Sequence, residues 1–449
     1  MVPDLLYNYI ALPAGLFGYR LFSLFDEKAR LAFSLRKNLF PGLEEKLKKL
    51  PTGRRVLVHI SSVGEYLQVR PVLRLLRKKA PDIKLVLSYF SPSLEPMVQK
   101  GVEAEFATYL PFDRRADMTE FLDRLKPELI IFSCYDLWPN LIALAQESGI
   151  KSVLINANLA ENSGKLNPLV SWWFKNLYQS LDLILAASPE DKQAIVSLGI
   201  AGSKITTTGN TRFDETMARI KAIPEDDALI KNLAGFCEKD KAQAGPLCLV
   251  VGSSWPEDEQ VILPALQKIW ESGKNLKVII APHEPSPQHV RELQINLSAL
   301  AAAPIMLSEM ESGAKAPPSP GKAVIVDSVG KLYKLYRLAD LAYVGGSFRK
   351  EVPNVMEPAG FNLPVLFGPK IKNSLEALKL VERKGGFVVH NTEELFQQLT
   401  LFLENIDTRL AAGRQAGGLV LENQGASERT VKILMESFPA LFSPGVKSG

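Results

Sequence analysis

The 449-residue sequence contains three cysteines and four histidines. Cys134, Cys237 and Cys248 are odd in number and widely spaced, which excludes a disulfide framework and reads as reduced thiols in an intracellular or cytoplasm-facing protein. His283 and His289 are the only near pair of histidines. No acid or cysteine accompanies them at metal-ligand spacing, so no metal is expected. The net charge of +4 is too small to argue for nucleic acid. Neither G-x-G-x-x-G nor G-x-x-x-x-G-K-[S/T] occurs, so the two most specific nucleotide signatures are missing. No uncharged run reaches the roughly 20 apolar residues of a clean membrane span.

What is present begins at the amino terminus. Residues 5–19, LLYNYIALPAGLFGY, carry no charge, and apolar character continues through LFSLF to Phe25. Pro13, Gly15 and Gly18 weaken this run as a helix. Lys28, Arg30, Arg36 and Lys37 follow, interleaved with Leu31, Phe33, Leu35, Leu39 and Phe40. Bases beside aliphatic and aromatic side chains suit an interfacial anchor on anionic lipid, the role expected for residues 1–40. The alternative is a helix packed on the first domain.

From residue 54 onward, strand-like and helix-like runs alternate, the pattern of parallel sheets with crossover helices. VLVHI at 56, KLVLSYF at 84, ELIIFS at 128, KSVLINA at 151, DLILAAS at 182 and a short KITTTGN form a first set. The pattern restarts at PLCLVVGSS and continues with LKVIIAP at 276, PIML at 304, AVIVDS at 323, LAYVGGS at 341, PVLFGP at 364 and FVVH at 387. The chain length favours two domains. Their expected limits are 41–220 and 246–449, with a linker over 221–245. SEMESGAKAPPSPGK after PIML reads as an exposed mobile loop.

In VLVHISSVGEYLQVRPVL, an apolar strand is followed by small residues and then Glu65. That turn falls at the carboxyl edge of a parallel sheet, where α/β folds collect ligands. The plainer reading makes Glu65 a first-turn acid at the positive end of its helix. VGSSWPEDEQVILPAL repeats the same order of strand, serines, acid and helix. Helix-opening turns at 252–255, 327–336, 345–348 and 353–369 offer backbone N–H groups to phosphate, and Glu357 could accept the hydroxyls of a ribose. The acids Glu257-Asp258-Glu259 read as first-turn residues favoured by the helix dipole.

Taken together, SSVGE, YDLWPNLI, LINANL, GNTRFD, VGSSWPEDE, DSVGKLYKLYRLADLAYVGGS, NVMEPAGFNLPVLFGP and KNSLEA resemble the lipid A Kdo (3-deoxy-D-manno-octulosonic acid) transferases over residues 5 to about 390. The resemblance implies a GT-B fold, two Rossmann-like doubly wound parallel-sheet domains facing a central cleft. It also implies a membrane anchor on the cytoplasmic face of the inner membrane. The reaction implied is inverting transfer of Kdo, without metal or cofactor, from CMP-Kdo to a lipid A precursor of the lipid IVA type; no nucleic acid is involved.

By the same resemblance Glu65 is the catalytic base and Arg212 of GNTRFD is the cation for leaving phosphate or sugar carboxylate. Asp136 is the one surviving acid of a segment that carries two glutamates in the family. Donor contacts fall on Ser253, Ser254, Pro282, His283, Val329, Gly330, Lys331, Gly346, Ser347, Asn354, Val355, Met356 and Glu357. The sequence also departs from the family. Pro282-His283 lacks the arginine of PRH, Pro353 replaces a histidine, and Asn158 replaces the arginine of NARL. Each lost arginine removes a bidentate partner for carboxylate or phosphate. Lys331, Arg349, Lys350, Lys370 and Lys372 are the candidate substitutes. A GT-B transferase with another nucleotide sugar, or a sugar-lipid binding protein without turnover, are the alternative readings.

Overall fold

The structure is a computed structural model that describes residues 5–159, 163–237, 246–312 and 321–443. The chain divides into two units. The first comprises Met1–Glu215 with Gln424–Gly449, and the second Thr216–Asn423.

The first unit holds β1 (Arg55–Ile60), β2 (Lys84–Tyr89), β3 (Phe106–Tyr109), β4 (Leu129–Ser133), β5 (Lys151–Ala157), β6 (Leu183–Ala186) and β7 (Ile205–Thr207). They form one sheet in the order β3-β2-β1-β4-β5-β6-β7, with every neighbouring pair parallel. Helices cover both faces of a doubly wound sheet, so its strands are apolar on both sides. Val56, Val58 and Ile60 enter one core layer and Leu57 the other. β3 has no counterpart in the sequence reading; it is four residues long and follows the charged stretch Glu103–Glu105. Strand order reverses between β1 and β4. A doubly wound sheet opens a crevice at such a reversal, beyond the carboxyl ends of the strands.

In the second unit, β8 (Leu247–Ser254), β9 (Leu276–Pro282), β10 (Ile305–Met306), β11 (Ala323–Ile325), β12 (Leu341–Val344), β13 (Val365–Phe367) and β14 (Gly386–Val388) form a second parallel sheet. Its order is β10-β11-β9-β8-β12-β13-β14, which reverses between β8 and β12.

The domain limits fall differently from those expected. Of the expected linker 221–245, the described residues 221–237 belong to the second unit: helix Ala228–Cys237 buries Leu229, Leu233, Phe236 and Cys237 in the core of that unit. Asp227 caps it, accepting from Leu229 N at 3.1 Å, and pairs with Lys334 at 2.7 Å. Residues 238–245 lie outside the described residues, as do 313–320 of the loop expected to be mobile. The end of the chain also changes unit. Helix Ala426–Ser437 places Val431 and Leu434 in the core of the first sheet, and both Asp214 carboxylate oxygens accept backbone N–H groups, from Gly425 and Ser427, at 2.6 Å. Periodicity identifies these terminal helices but not the sheet that buries them.

Of the expected amino-terminal segment 1–40, residues 27–36 pack on the first unit. Helix Glu27–Arg36 buries Ala29 and Ala32. Arg36 turns inward, donating to the carbonyls of Leu110 and Phe90 at 2.8 and 2.9 Å, with its guanidinium 4.4 to 5.1 Å from the ring centres of Phe90, Phe112 and Tyr109. Burial holds it below the ordinary guanidinium range. Part of the basic cluster therefore packs on the first unit rather than facing outward.

Candidate active site

Helix Val63–Lys79 begins where β1 ends. Ser62 is its N-cap, the hydroxyl accepting from Glu65 N at 3.2 Å. Glu65 folds back so that Oε2 accepts from Ser61 N at 2.8 Å and Oε1 from the Ser62 hydroxyl at 3.1 Å. Geometrically it is the helix-opening acid of the plainer reading. Yet only 8% of it is exposed, more enclosed than capping requires. Burial raises its proton affinity above the ordinary carboxylate range; the Ser61 N–H opposes this and the charge of Asp136 adds to it.

Asp136 stands beyond the end of β4, across the switch point. One of its oxygens, Oδ2, accepts from His59 Nε2 at 3.1 Å, from Trp138 Nε1 at 3.1 Å and from the Ser61 hydroxyl. Burial acts to raise its pKa, but these donors outweigh it, and the group is held below the usual carboxylate range. Two carboxylates linked by one serine are thus pushed in opposite directions, the pattern that separates a proton acceptor from a fixed charge.

Arg212 opens helix Arg212–Lys221. It is placed by its neighbour Thr211, which is fully buried and whose N–H and hydroxyl both donate to Asn156 Oδ1 at 3.0 Å. Asn156 sits at φ +51°, a left-handed conformation that asparagine tolerates better than most residues. The guanidinium lies over the Gly64 turn, where a Cβ would be 3.6 Å from Nη2. Among the described residues it has no hydrogen-bond or ion-pair partner. Glu65, Asp136 and Arg212 are thus brought together within the first unit.

The second unit places Ser253, Ser254, Gly346 and Ser347 at the reversal between β8 and β12, but several polar groups there are already engaged. Asp258 is fully buried; its Oδ2 accepts from Trp255 N at 3.0 Å and Gly346 N at 2.8 Å, and its Oδ1 from the Tyr343 hydroxyl at 3.2 Å. Gly346 N–H, expected to face a phosphate, is thus taken by a side chain, and Ser347 is fully buried. Gly345 is required here, because a Cβ would come within 2.5 Å of Ser253 O. Ser253 itself adopts φ +54°, and the Ser254 hydroxyl donates to Glu259 at 2.8 Å.

Pro282 ends β9, and the ring of His283 stacks on Trp255 at 4.6 Å. Val329 is exposed and Gly330 has φ +84°. Lys331 pairs with Glu311 at 2.5 Å. Asn354 Oδ1 caps Met356 N at 3.1 Å, and Val355 and Met356 are buried. The helix carrying Glu357, Met356–Gly360, is a single turn, and one Glu357 oxygen accepts from Arg219 at 2.7 Å.

Residues 32–215 match the family described as 3-deoxy-D-manno-octulosonic-acid transferase, or Kdo transferase. Curated 3-deoxy-D-manno-octulosonic acid transferases align over most of the chain. The protein of Chlamydia trachomatis is 27% identical over 85% of this chain and 85% of its own. That of Haemophilus influenzae is 25% identical over 86% and 87%, and that of Chlamydophila psittaci 25% over 96% and 94%. Over residues 32–215, within its first unit, the chain is similar to the Kdo transferase family.

Solved structures give the fold. UDP-GlcNAc 2-epimerase from Neisseria meningitidis superposes with a TM-score of 0.60 at 14% identity, covering 86% of this chain and all of that one. A glycosyltransferase from Rickettsia africae gives 0.55 at 14% identity, covering 89% and 100%. With two doubly wound parallel sheets, the architecture is GT-B.

The structure separates the cations named as candidate substitutes for the missing arginines. Lys331 is paired, and Lys370 donates to the carbonyls of Phe348 and Arg349 at 3.0 and 2.8 Å. Arg349 lies 3.8 Å over the Trp255 ring, which stacks on His283. The sequence reading missed this Arg349–Trp255–His283 stack, His59, and the contacts of the first-turn acid Asp258 with Gly346 and Tyr343. For His59 a signal exists, since a histidine inside the otherwise apolar VLVHI must find partners.

Proposed function

We propose that this protein is an inverting, metal-independent glycosyltransferase that moves Kdo from CMP-Kdo to a lipid A precursor of the lipid IVA type. The observation that carries the reading is the buried Glu65 carboxylate, raised in proton affinity, with the Arg212 guanidinium over the same Gly64 turn at the switch point of the first sheet. An acceptor hydroxyl ionises far above neutral pH, so attack on the Kdo anomeric carbon requires a base. Glu65 takes that proton as the new C–O bond forms and the bond from carbon to the CMP phosphate breaks. Arg212 offsets negative charge on the phosphate or the Kdo carboxylate. Inversion in one displacement places the attacking hydroxyl and the leaving CMP on opposite faces of the sugar.

CMP is expected to bind more tightly than UDP or GDP in a calorimetric titration, and Kdo transfer to lipid IVA to persist in excess chelator. Preference for UDP, or a strict demand for magnesium or manganese, would overturn the assignment.

The same reading places the protein on the cytoplasmic face of the inner membrane. Among the described residues no helix is long and apolar enough to cross a membrane. The amino-terminal helices instead expose Tyr9, Ile10, Phe17, Leu24 and Phe25. Helix Pro168–Gln179 exposes Leu169 and Trp172, and its Trp173 ring lies 5.7 Å from Tyr7. Arg20, Arg114 and Arg115 line a pocket of about 700 Å³ with Leu12, Leu16 and Phe17. Apolar side chains beside cations support docking on anionic lipid. Full-length protein is expected to sediment with anionic vesicles, and a variant lacking residues 1–25 to remain largely in the supernatant. Equal sedimentation of the two rules out this segment as the anchor.

A further inference from the structure

His59 is the one polar side chain of the VLVHI run in β1, and it is fully buried. A buried imidazole is costly unless both nitrogens are satisfied. Here they are. Nδ1 lies 2.9 Å from the hydroxyl of Ser88, its register partner on β2, and Nε2 lies 3.1 Å from Asp136 Oδ2 beyond β4. The polar line therefore crosses β2, β1 and β4 at the reversal of strand order. Phe132 and Trp138 pack against the ring at 6.3 and 5.9 Å between centres. In the neutral ring the Ser88 hydroxyl donates to Nδ1, which leaves Nε2–H for the carboxylate. Ser61 then joins the two acids, its hydroxyl donating to Asp136 and its N–H to Glu65.

We propose that His59 is a positioning residue for this carboxylate pair, holding Asp136 against Ser61 and so fixing the charge that faces Glu65. The proposal rests on the reading of Glu65 as the base. Other ionisable groups also face the pair. Cys134 and Tyr135 lie in the fields of Glu65, Asp136 and Arg212, and Lys165 and Asp113 in that of Asp136. Asp136 reaches Glu65 through a single bridging residue, Ser61.

His59→Gln keeps an amide N–H near the place of Nε2–H, whereas His59→Leu keeps only bulk. His59→Leu is expected to lower turnover about 10- to 100-fold, the scale of a misplaced catalytic group, without raising the KM for CMP-Kdo. His59→Gln should recover most of that loss. Asp136→Asn removes a negative neighbour, so the acid limb of its pH–turnover profile should move to lower pH. If both histidine variants keep wild-type turnover, or both lose it equally along with thermal stability, His59 is only a plug in the sheet.

Nitrogen NMR on the four histidines tests the geometry without substrate. His59 should hold the Nε2–H tautomer and respond to Asp136→Asn; an Nδ1–H tautomer overturns the proposal. Failure here is distinguishable from failure of the base assignment. An inactive Glu65→Gln beside a fully active His59→Leu removes only the role of His59, and an active Glu65→Gln removes the base.

Discussion

Glu65→Gln should lower turnover by roughly 100- to 10,000-fold, the span lost with a general base. Glutamine can accept from Ser61 N–H and donate to the Ser62 hydroxyl, so both local contacts of Glu65 can be kept. What disappears is proton acceptance. Folding should not suffer. A carboxylate whose folded pKa is raised loses stability as pH climbs from its unfolded toward its folded value, so the ionised group destabilises the fold at neutral pH. The thermal midpoint of Glu65→Gln should therefore match or exceed wild type, and CMP affinity should be unchanged.

In the wild type, the acid limb of turnover should lie above the ordinary carboxylate range, because burial and the Asp136 charge both raise Glu65. A Glu65→Gln variant retaining more than about a tenth of wild-type turnover would falsify the catalytic assignment, given the smallest general-base contribution expected.

Removing the guanidinium of Arg212 is the second large effect. Arg212→Ala should reduce turnover about 100- to 1,000-fold, as expected for a preorganised group facing developing charge. Arg212→Lys should recover part of this, since it keeps the charge and loses the fork that holds two oxygens. Stability is the control. The Arg212 side chain makes no hydrogen bond or ion pair among the described residues, and Thr211 and Asn156 hold its backbone in place. Both variants should therefore unfold within a degree or two of wild type, in line with a surface change of a few tenths of a kcal/mol. A large drop in thermal midpoint with turnover per folded molecule unchanged would make Arg212 structural.

Most strands were legible because a sheet covered on both faces needs continuous apolar runs. KSVLINA and LKVIIAP coincide with β5 and β9 to the residue. Glu65 was legible too, as an acid after small residues at the end of such a run. The contacts of Asp258 were not. Its place in PEDE fits any helix opening, and only folding brings Gly346, nearly 90 positions later, onto its carboxylate. Glu357 was legible as an acid, but its pairing with Arg219 depends on packing between distant segments.

By itself the sequence determined two sheets of parallel strands, the turn that carries Glu65, and the motifs that resemble Kdo transferases. Local pattern suffices for these because strand burial, capping and turn chemistry act over a few residues. Only the tertiary structure decided that residues 424 onward complete the first unit, that Arg36 turns inward, and that Ser88, His59, Asp136 and Ser61 form one line ending at Glu65. Those outcomes depend on strand order. Placing β1 between β2 and β4 brings Ser88 and Asp136 to either side of His59, and no pattern within a single segment encodes which strands become neighbours.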